Sequence, residues 1–163
     1  MSSISVRLEG TEKLLKQIKD IEHVDKAGIM NAIAEGLRTS TVERFGSGET
    51  PEGKKWTPSI RAQKQGGKTL ISSGQLKTSI KAEADSTGAA VGTNTIYAAT
   101  HQFGNTRTIR AKNGKYLHFQ IGERWVNVPS VTVDIPARPF LGISEENEKE
   151  IMELLEDAYK EYL

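Results

Sequence analysis

The sequence predicts an α+β domain: an antiparallel sheet with hairpins, packed against a long helix in the N-terminal half and a second helix at the C-terminus. Three observations carry that reading. Apolar residues recur at helical spacing over residues 25–45 and again over residues 145–162. They alternate with a period of two around residues 4–8 and 131–135. Between these stretches lie turn-forming pairs, Asn113-Gly114 and Gly122-Glu123 among them.

Taken in order, Ile4, Val6 and Leu8 alternate with polar residues and read as a short half-buried strand ended by Gly10. Thr11 is a plausible N-cap for a helix with Leu14, Leu15, Ile18 and Ile21 on one face. Asp25 caps a longer helix, whose Ile29, Met30, Ile33, Ala34, Leu37, Thr41 and Phe45 form a broad apolar face; Gly46 is positioned to stop it. Residues 46–58 are rich in Gly and Pro, so a mobile loop is expected. Trp56 stands out there, because a ring of that size docks either on its own core or on a neighbour.

After Gly66-Gly67 a strand is expected over residues 76–84, turning at Gly88 into Ala90-Val91-Gly92. A short helix over residues 95–103 ends at Gly104. Asn113-Gly114 then suggests a hairpin between residues 108–110 and 116–119, and Gly122-Glu123 a second one into residues 125–128. Val131, Val133 and Ile135 alternate once more, and Pro136 and Pro139 keep the chain extended. Ser144 caps a last helix striped by Ile151, Leu154, Leu155, Ala158 and Tyr162. The 163 residues fit a single domain with a flexible loop at about 46–58 and a hairpin extension at about 105–128.

There is no cysteine, which excludes disulfides, thiolate metal sites and cysteine nucleophiles. No leader-like apolar segment opens the chain, and no apolar run approaches the roughly 18 residues of a membrane span; synthesis in a bacterial-type cytoplasm is consistent with this. The net charge of +1 conceals an asymmetry. Residues 54–81 contain no acid, while Lys54, Lys55, Arg61, Lys64, Lys68, Lys77 and Lys81 are basic. Arg107, Arg110, Lys112 and Lys115 form a second basic stretch, and the last helix is dominated by Glu. Two poles of opposite sign suit head-to-tail self-association or a polyanionic neighbour; they are equally what two solvated faces would look like.

Little in the sequence asks for catalysis. Gly66-Gly67-Lys68-Thr69 ends like a phosphate loop, but that pattern needs glycine at position 62, where Ala62 stands. His23, His101 and His118 lack partners at metal-ligand spacing, and Ser72-Ser73-Gly74 is not a nucleophile elbow. No catalytic residue, metal or cofactor is therefore expected. The basic stretches include Trp56 and Tyr116 but few other aromatics, so a base-stacking platform is poorly supported while a phosphate-facing surface remains open.

Several short motifs carry a resemblance. Pro51-Glu52-Gly53-Lys54-Lys55-Trp56-Thr57-Pro58 is followed by Thr69-Leu70-Ile71-Ser72-Ser73-Gly74-Gln75-Leu76 with Ser79-Ile80. Then come Val91-Gly92-Thr93, Tyr97-Ala98, His101-Gln102-Phe103-Gly104 and Ile135-Pro136-Ala137-Arg138-Pro139-Phe140-Leu141-Gly142. In this order, over residues 45–145, they resemble the phage virion morphogenesis, or tail completion, family. The resemblance implies a non-enzymatic component of the virion neck or tail that completes the tail or joins it to the head, often as a ring. It implies contacts with copies of itself, with other head–tail proteins and with packaged DNA, and none with a membrane or a small-molecule substrate. On this reading Tyr97, His101, Phe103, Gly104, Arg138, Pro139 and Phe140 hold the fold, with a contact surface as the lesser option for Tyr97, Phe103 and Arg138. The candidate surface for assembly or DNA passage comprises Lys54, Lys55, Trp56, Arg107, Arg110, Lys112 and Lys115. The main alternative is a sequence-nonspecific nucleic-acid-binding module, and a hydrolase built from dispersed carboxylates is a distant third.

Overall fold

The structure is a computed structural model that describes residues 4–7 and 24–160. The helix expected to start at Thr11 lies outside the described residues, as do Leu8 and Tyr162. The elements run β1 (Ile4–Arg7), α1 (Lys26–Ser47), α2 (Ile60–Gln65), α3 (Gln75–Thr78), β2 (Lys81–Asp85), β3 (Gly88–Thr93), α4 (Ala98–Phe103), β4 (Asn105–Arg110), β5 (Leu117–Ile121), β6 (Arg124–Val128), β7 (Ser130–Ile135) and α5 (Glu145–Lys160).

The 22-residue helix α1 organises the domain. Asp25 accepts the Gly28 N–H at 2.9 Å, supplying the N-cap. The helix passes through Gly46, where it was expected to stop, and ends at Gly48. There the backbone turns left-handed (φ 72°, ψ 40°) and returns its N–H to the Arg44 carbonyl at 2.7 Å. Two lysines cap its last carbonyls, Lys68 Nζ on Gly46 (2.9 Å) and Lys55 Nζ on Ser47 (3.0 Å), where positive charge also favours the helix dipole. Met30, Ile33, Ala34, Leu37, Thr41 and Phe45 are buried along one side. Thr41 is satisfied by donating to the Leu37 carbonyl.

That side of α1 covers the antiparallel sheet β1-β3-β2. Register sets Val6 opposite Val91 and Val91 opposite Ala82, so these three residues lie level; β2 and β3 meet the helix, and Val6 packs at the edge of the core. α5 packs on α1 through Ile151 and Leu155. Ser144 Oγ accepts the Asn147 N–H, and Asn147 Oδ1 accepts the Ser144 N–H, a reciprocal cap that fixes where α5 begins.

The structure corrects three further local expectations. Leu76 does not open a strand: Thr78 and Ser79 hydroxyls donate back to carbonyls of residues 74–76, which favours a helical turn, and β2 starts only at Lys81. α4 starts at Ala98, because Thr95 is engaged in a hydroxyl cluster with Ser79 and Thr93. Asn113-Gly114 closes a 3₁₀ turn, not a hairpin between β4 and β5. β4 pairs instead with β7, from Asn105↔Ile135 to Arg110↔Ser130, and the β5–β6 hairpin is nested between them. Thr106 bonds Asp134 and Thr108 bonds Thr132 across that ribbon, adding side-chain hydrogen bonds to the backbone pairing.

The segment expected as a mobile loop is internally bonded: Thr50 N–H to Lys54 O, Gly53 N–H to Thr50 O, Trp56 N–H to Gly48 O, with Pro51 buried.

Candidate assembly surface

The best-defined polar geometry surrounds residues 138–142, which run between β7 and α5. Pro136 and Pro139 preset an extended backbone that cannot satisfy its own carbonyls. Side chains from distant parts of the chain do so. Gln102 Oε1 accepts the N–H groups of Phe140 (3.0 Å) and Leu141 (3.1 Å), while its Nε2 donates to Leu141 O (2.9 Å). Arg44 Nη1 donates to Phe140 O (3.1 Å) and Gly142 O (2.8 Å), and its Nη2 to Asn147 Oδ1 (2.7 Å) and Ser40 Oγ (3.2 Å). Trp56 Nε1 donates to Pro139 O at 2.9 Å, and Arg138 Nε to Thr57 O at 2.7 Å. Burial lowers the Arg44 and Arg138 pKa from the ordinary value, Glu52 opposing the shift at Arg44; neither side chain loses its charge.

Apolar packing completes this clamp. Phe140 is fully buried and tilts against Phe45 at 5.3 Å, and Phe45 meets Trp56 edge-on at 5.8 Å. Gly104 ends α4 at φ 75°, ψ 167°, a region open essentially to glycine, with the 135–137 backbone pressed against it. A Cβ on Gly142 would collide with the Pro51 ring.

The residues singled out in the sequence divide accordingly. Trp56, placed on the candidate surface, is 5% exposed and docks on the chain's own core, the first of its two alternatives. Lys54 is exposed, and Lys55 is tied to Glu49 at 2.6 Å and to the end of α1. Arg107, Arg110, Lys112 and Lys115 are all exposed, but alternation along β4 sends Arg107 and Arg110 to opposite faces. Among the residues expected to hold the fold, Gly104, Arg138, Pro139 and Phe140 belong to the clamp. Tyr97 (41% exposed) and Phe103 (70% exposed) do not, and present rings to the outside.

His101 lies edge-on to Tyr97 at 6.0 Å and gives its carbonyl to the Arg138 N–H at 2.7 Å. Its Nδ1 is buried without a hydrogen-bond partner among the described residues. Burial, followed by the Arg138 charge, lowers its pKa from the ordinary value. The unfolded chain then binds more protons than the folded one as pH falls below about 6.5, so stability is full above that value and declines beneath it. Urea unfolding at about pH 7.5 and about pH 5.5 is expected to show this loss, and His101→Gln to show less of it.

Residues 105–135 form an arm of two two-stranded sheets. On the ribbon, Ile109, Val131 and Val133 share one face with Arg107, and Thr106, Thr108, Thr132 and Asp134 share the other. On the hairpin, Leu117, Phe119, Val126 and Val128 share the half-buried face. Its outer face carries His118 stacked on Trp125 at 4.5 Å, with Trp125 64% exposed. Two-stranded hairpins are marginal on their own. Exposed Tyr116, Ile121 and Trp125 on the arm and Ile96 and Phe103 beside it give the domain apolar surface suited to protein contact. Trp125 and Ile121 were missed because an aromatic or aliphatic residue in an alternating strand reads as inward-facing; Trp125 sits opposite Gln120, which marks the outer face. Arg44 and Gln102 carried no sequence signal, their partners lying 96 and 39 residues away in the chain.

Among the described residues no group of three His, Asp or Glu could hold a metal, and no helix is long and apolar enough to cross a membrane. The strongest polar groups bind this chain's own backbone while the aromatic and basic residues of the arm face outward, the arrangement of a scaffold that presents a surface. The comparisons with known proteins identify the scaffold: residues 6–160 match the phage virion morphogenesis family, and the chain belongs to it. It is also 32% identical over 135 residues to the Mu-like prophage FluMu G protein 2 of Haemophilus influenzae, covering 83% of this chain and 79% of that protein. No solved structure matches the chain.

Proposed function

We propose that the protein is a neck or tail component of a bacteriophage or prophage particle. It completes the tail or joins head to tail by self-assembly, as a ring, and by docking on other particle proteins. The observation that carries this reading is the family match over residues 6–160, nearly the whole chain. Its relationship to a Mu-like prophage protein agrees with it. The arm supplies a surface for docking, with exposed Trp125, Ile121 and Tyr116 beside Arg107, Arg110, Lys112 and Lys115. The chain is made in the cytoplasm of the bacterial host and ends in the virion. On this reading it turns over no substrate.

Reversing the arm's charges (Arg107→Glu, Arg110→Glu, Lys112→Glu and Lys115→Glu together) should leave the fold intact, since none of the four makes an ion pair among the described residues. Infectious yield in a complementation assay is expected to fall at least about tenfold, the equivalent of 1.4 kcal/mol in docking. An unchanged yield would remove the arm from the assembly surface.

The four exposed cations also favour a second reading, a sequence-indifferent nucleic-acid module. In that case a stable monomer would bind short duplex DNA with a log–log salt slope of about −3 to −4, lost in the same variant.

A further inference from the structure

A cavity of about 300 Å³ opens beside the clamp, with Arg61, Leu70, Ser72, Leu76, His101 and Arg138 in its walls. No Asp or Glu lines it, and neither arginine forms an ion pair among the described residues. Arg138 is 5% exposed, yet only its Nε is engaged, on Thr57 O; no described residue hydrogen-bonds its Nη atoms. Those Nη donors are not sealed from solvent: Arg138 lines the open cavity, where an incoming acceptor can reach them. The fork of a guanidinium matches a carboxylate in two parallel bonds.

The cavity's rim is held in place. Arg61 Nη2 donates to Lys68 O (2.7 Å) and Ile71 O (2.6 Å), pinning the loop that forms the lip. Leu70 within that loop is held at φ 62°, alone among the described non-glycine residues in having a positive φ. Strain of that kind collects at ligand clamps.

We propose that this cavity is a carboxylate socket, filled by an acidic side chain from α5 of a second copy of this chain, so that copies join head to tail. The proposal rests on the self-assembly reading above and names its contact. Three observations select the occupant. α5 carries Glu145, Glu146 and Glu148 in its first turn and Glu150, Glu153 and Glu156 beyond it, all exposed. Among the acids of α5, only Asp157 forms an ion pair with a described residue, Lys160 at 3.4 Å. The volume lies at the lower limit of ligand pockets, about right for a side chain on a flexible stem. A duplex phosphate sits on a stiff rod and meets a concave, leucine-walled site poorly. A socket on one face and an acidic helix on another make a heterologous interface, which closes into a ring or extends into a stack.

The test is sedimentation velocity over a concentration series at low salt. Wild-type chain should form a discrete oligomer that salt weakens. Ser72→Glu places a carboxylate of the chain's own at the socket and should weaken association about thirtyfold or more, whereas Ser72→Gln should associate like wild type. Replacing the six glutamates of α5 named above by Gln should also give a monomer. Mixed together, the Ser72→Glu chain and the glutamine chain retain one good half-interface each and should form a one-to-one pair and nothing larger. Ser72→Glu associating like wild type overturns the proposal. So does wild-type chain that stays monomeric throughout, although the particle role, read by infectious yield, then still stands. Binding of short duplex DNA that Ser72→Glu abolishes overturns it in favour of a phosphate site.

Discussion

Gly104→Ala should lower the thermal midpoint by about 6–12 °C, the equivalent of about 3 kcal/mol in a domain of this size. Two effects add. At φ 75° and ψ 167° the glycine occupies a backbone region that an alanine enters only with strain. The added Cβ would also stand 2.8 Å from Ala137 N and 3.0 Å from Ile135 O, and both are backbone atoms, so neither can swing aside as a side-chain tip does. Gly104 is where α4 passes into β4 while the outgoing end of β7 crosses behind it. The damage should therefore extend to the root of the arm. Calorimetry measures the midpoint, and hydrogen exchange across residues 105–110 and 130–135 shows whether the β4–β7 ribbon loosens with it.

Arg44→Leu should cost about 4 kcal/mol. The guanidinium is 7% exposed and, although it feels the charge of Glu52, its hydrogen bonds go to two main-chain carbonyls, of Phe140 and Gly142, and two side-chain oxygens, of Asn147 and Ser40. Leucine fills part of the space but takes the donor away from the Phe140 and Gly142 carbonyls, and each hydrogen bond to a charged group contributes about 1.5–3 kcal/mol. Asn147 also caps α5, so its loss of alignment should fray the first turn of that helix. Arg44→Lys should recover less than half, because an ammonium is a point donor and cannot span the carbonyls as the planar fork does. Urea midpoints for the three proteins measure both effects.

These two positions also show what the sequence could reveal. α1 and α5 were legible because helical spacing is a local signal: Asp25 and Ser144 mark their starts, and Ile33, Leu37, Ile151 and Leu155 repeat at the expected intervals. Gly88 and Gly122 marked real reversals for the same reason. Strand partnership is not local. β4 lay closer in sequence to β5, and the Asn113-Gly114 pair favoured joining them, yet the cross-strand threonine and aspartate contacts exist only with β7. Residues 51–58 read as a loop by composition, but the bonds of Trp56 and Thr57 to residues 138–139 bridge more than 80 positions, beyond any pattern in the segment itself. Tyr97 and Phe103 are assigned to the fold by resemblance, with a contact surface as the lesser option, and their exposed rings fit that second option.

The basic surface was legible in composition but not in arrangement. Arg107, Arg110, Lys112 and Lys115 are consecutive cations in the sequence, and the pleat of β4 divides the two arginines between opposite faces. The carboxylate socket was invisible, because Arg61 and Arg138 are separated by the whole of β2, β3, α4 and the arm and meet only in the folded chain.

On the proposed reading this chain is a built-in part of a phage particle. The decisive measurement is to delete its gene from the phage or prophage that carries it and to purify the particles for mass spectrometry and electron microscopy. The chain should be present in wild-type particles at a fixed copy number, and the deletion should accumulate heads and tails that fail to join or tails left unfinished. Infectious particles of normal form and yield without the gene, with no trace of the chain in wild-type particles, would contradict it.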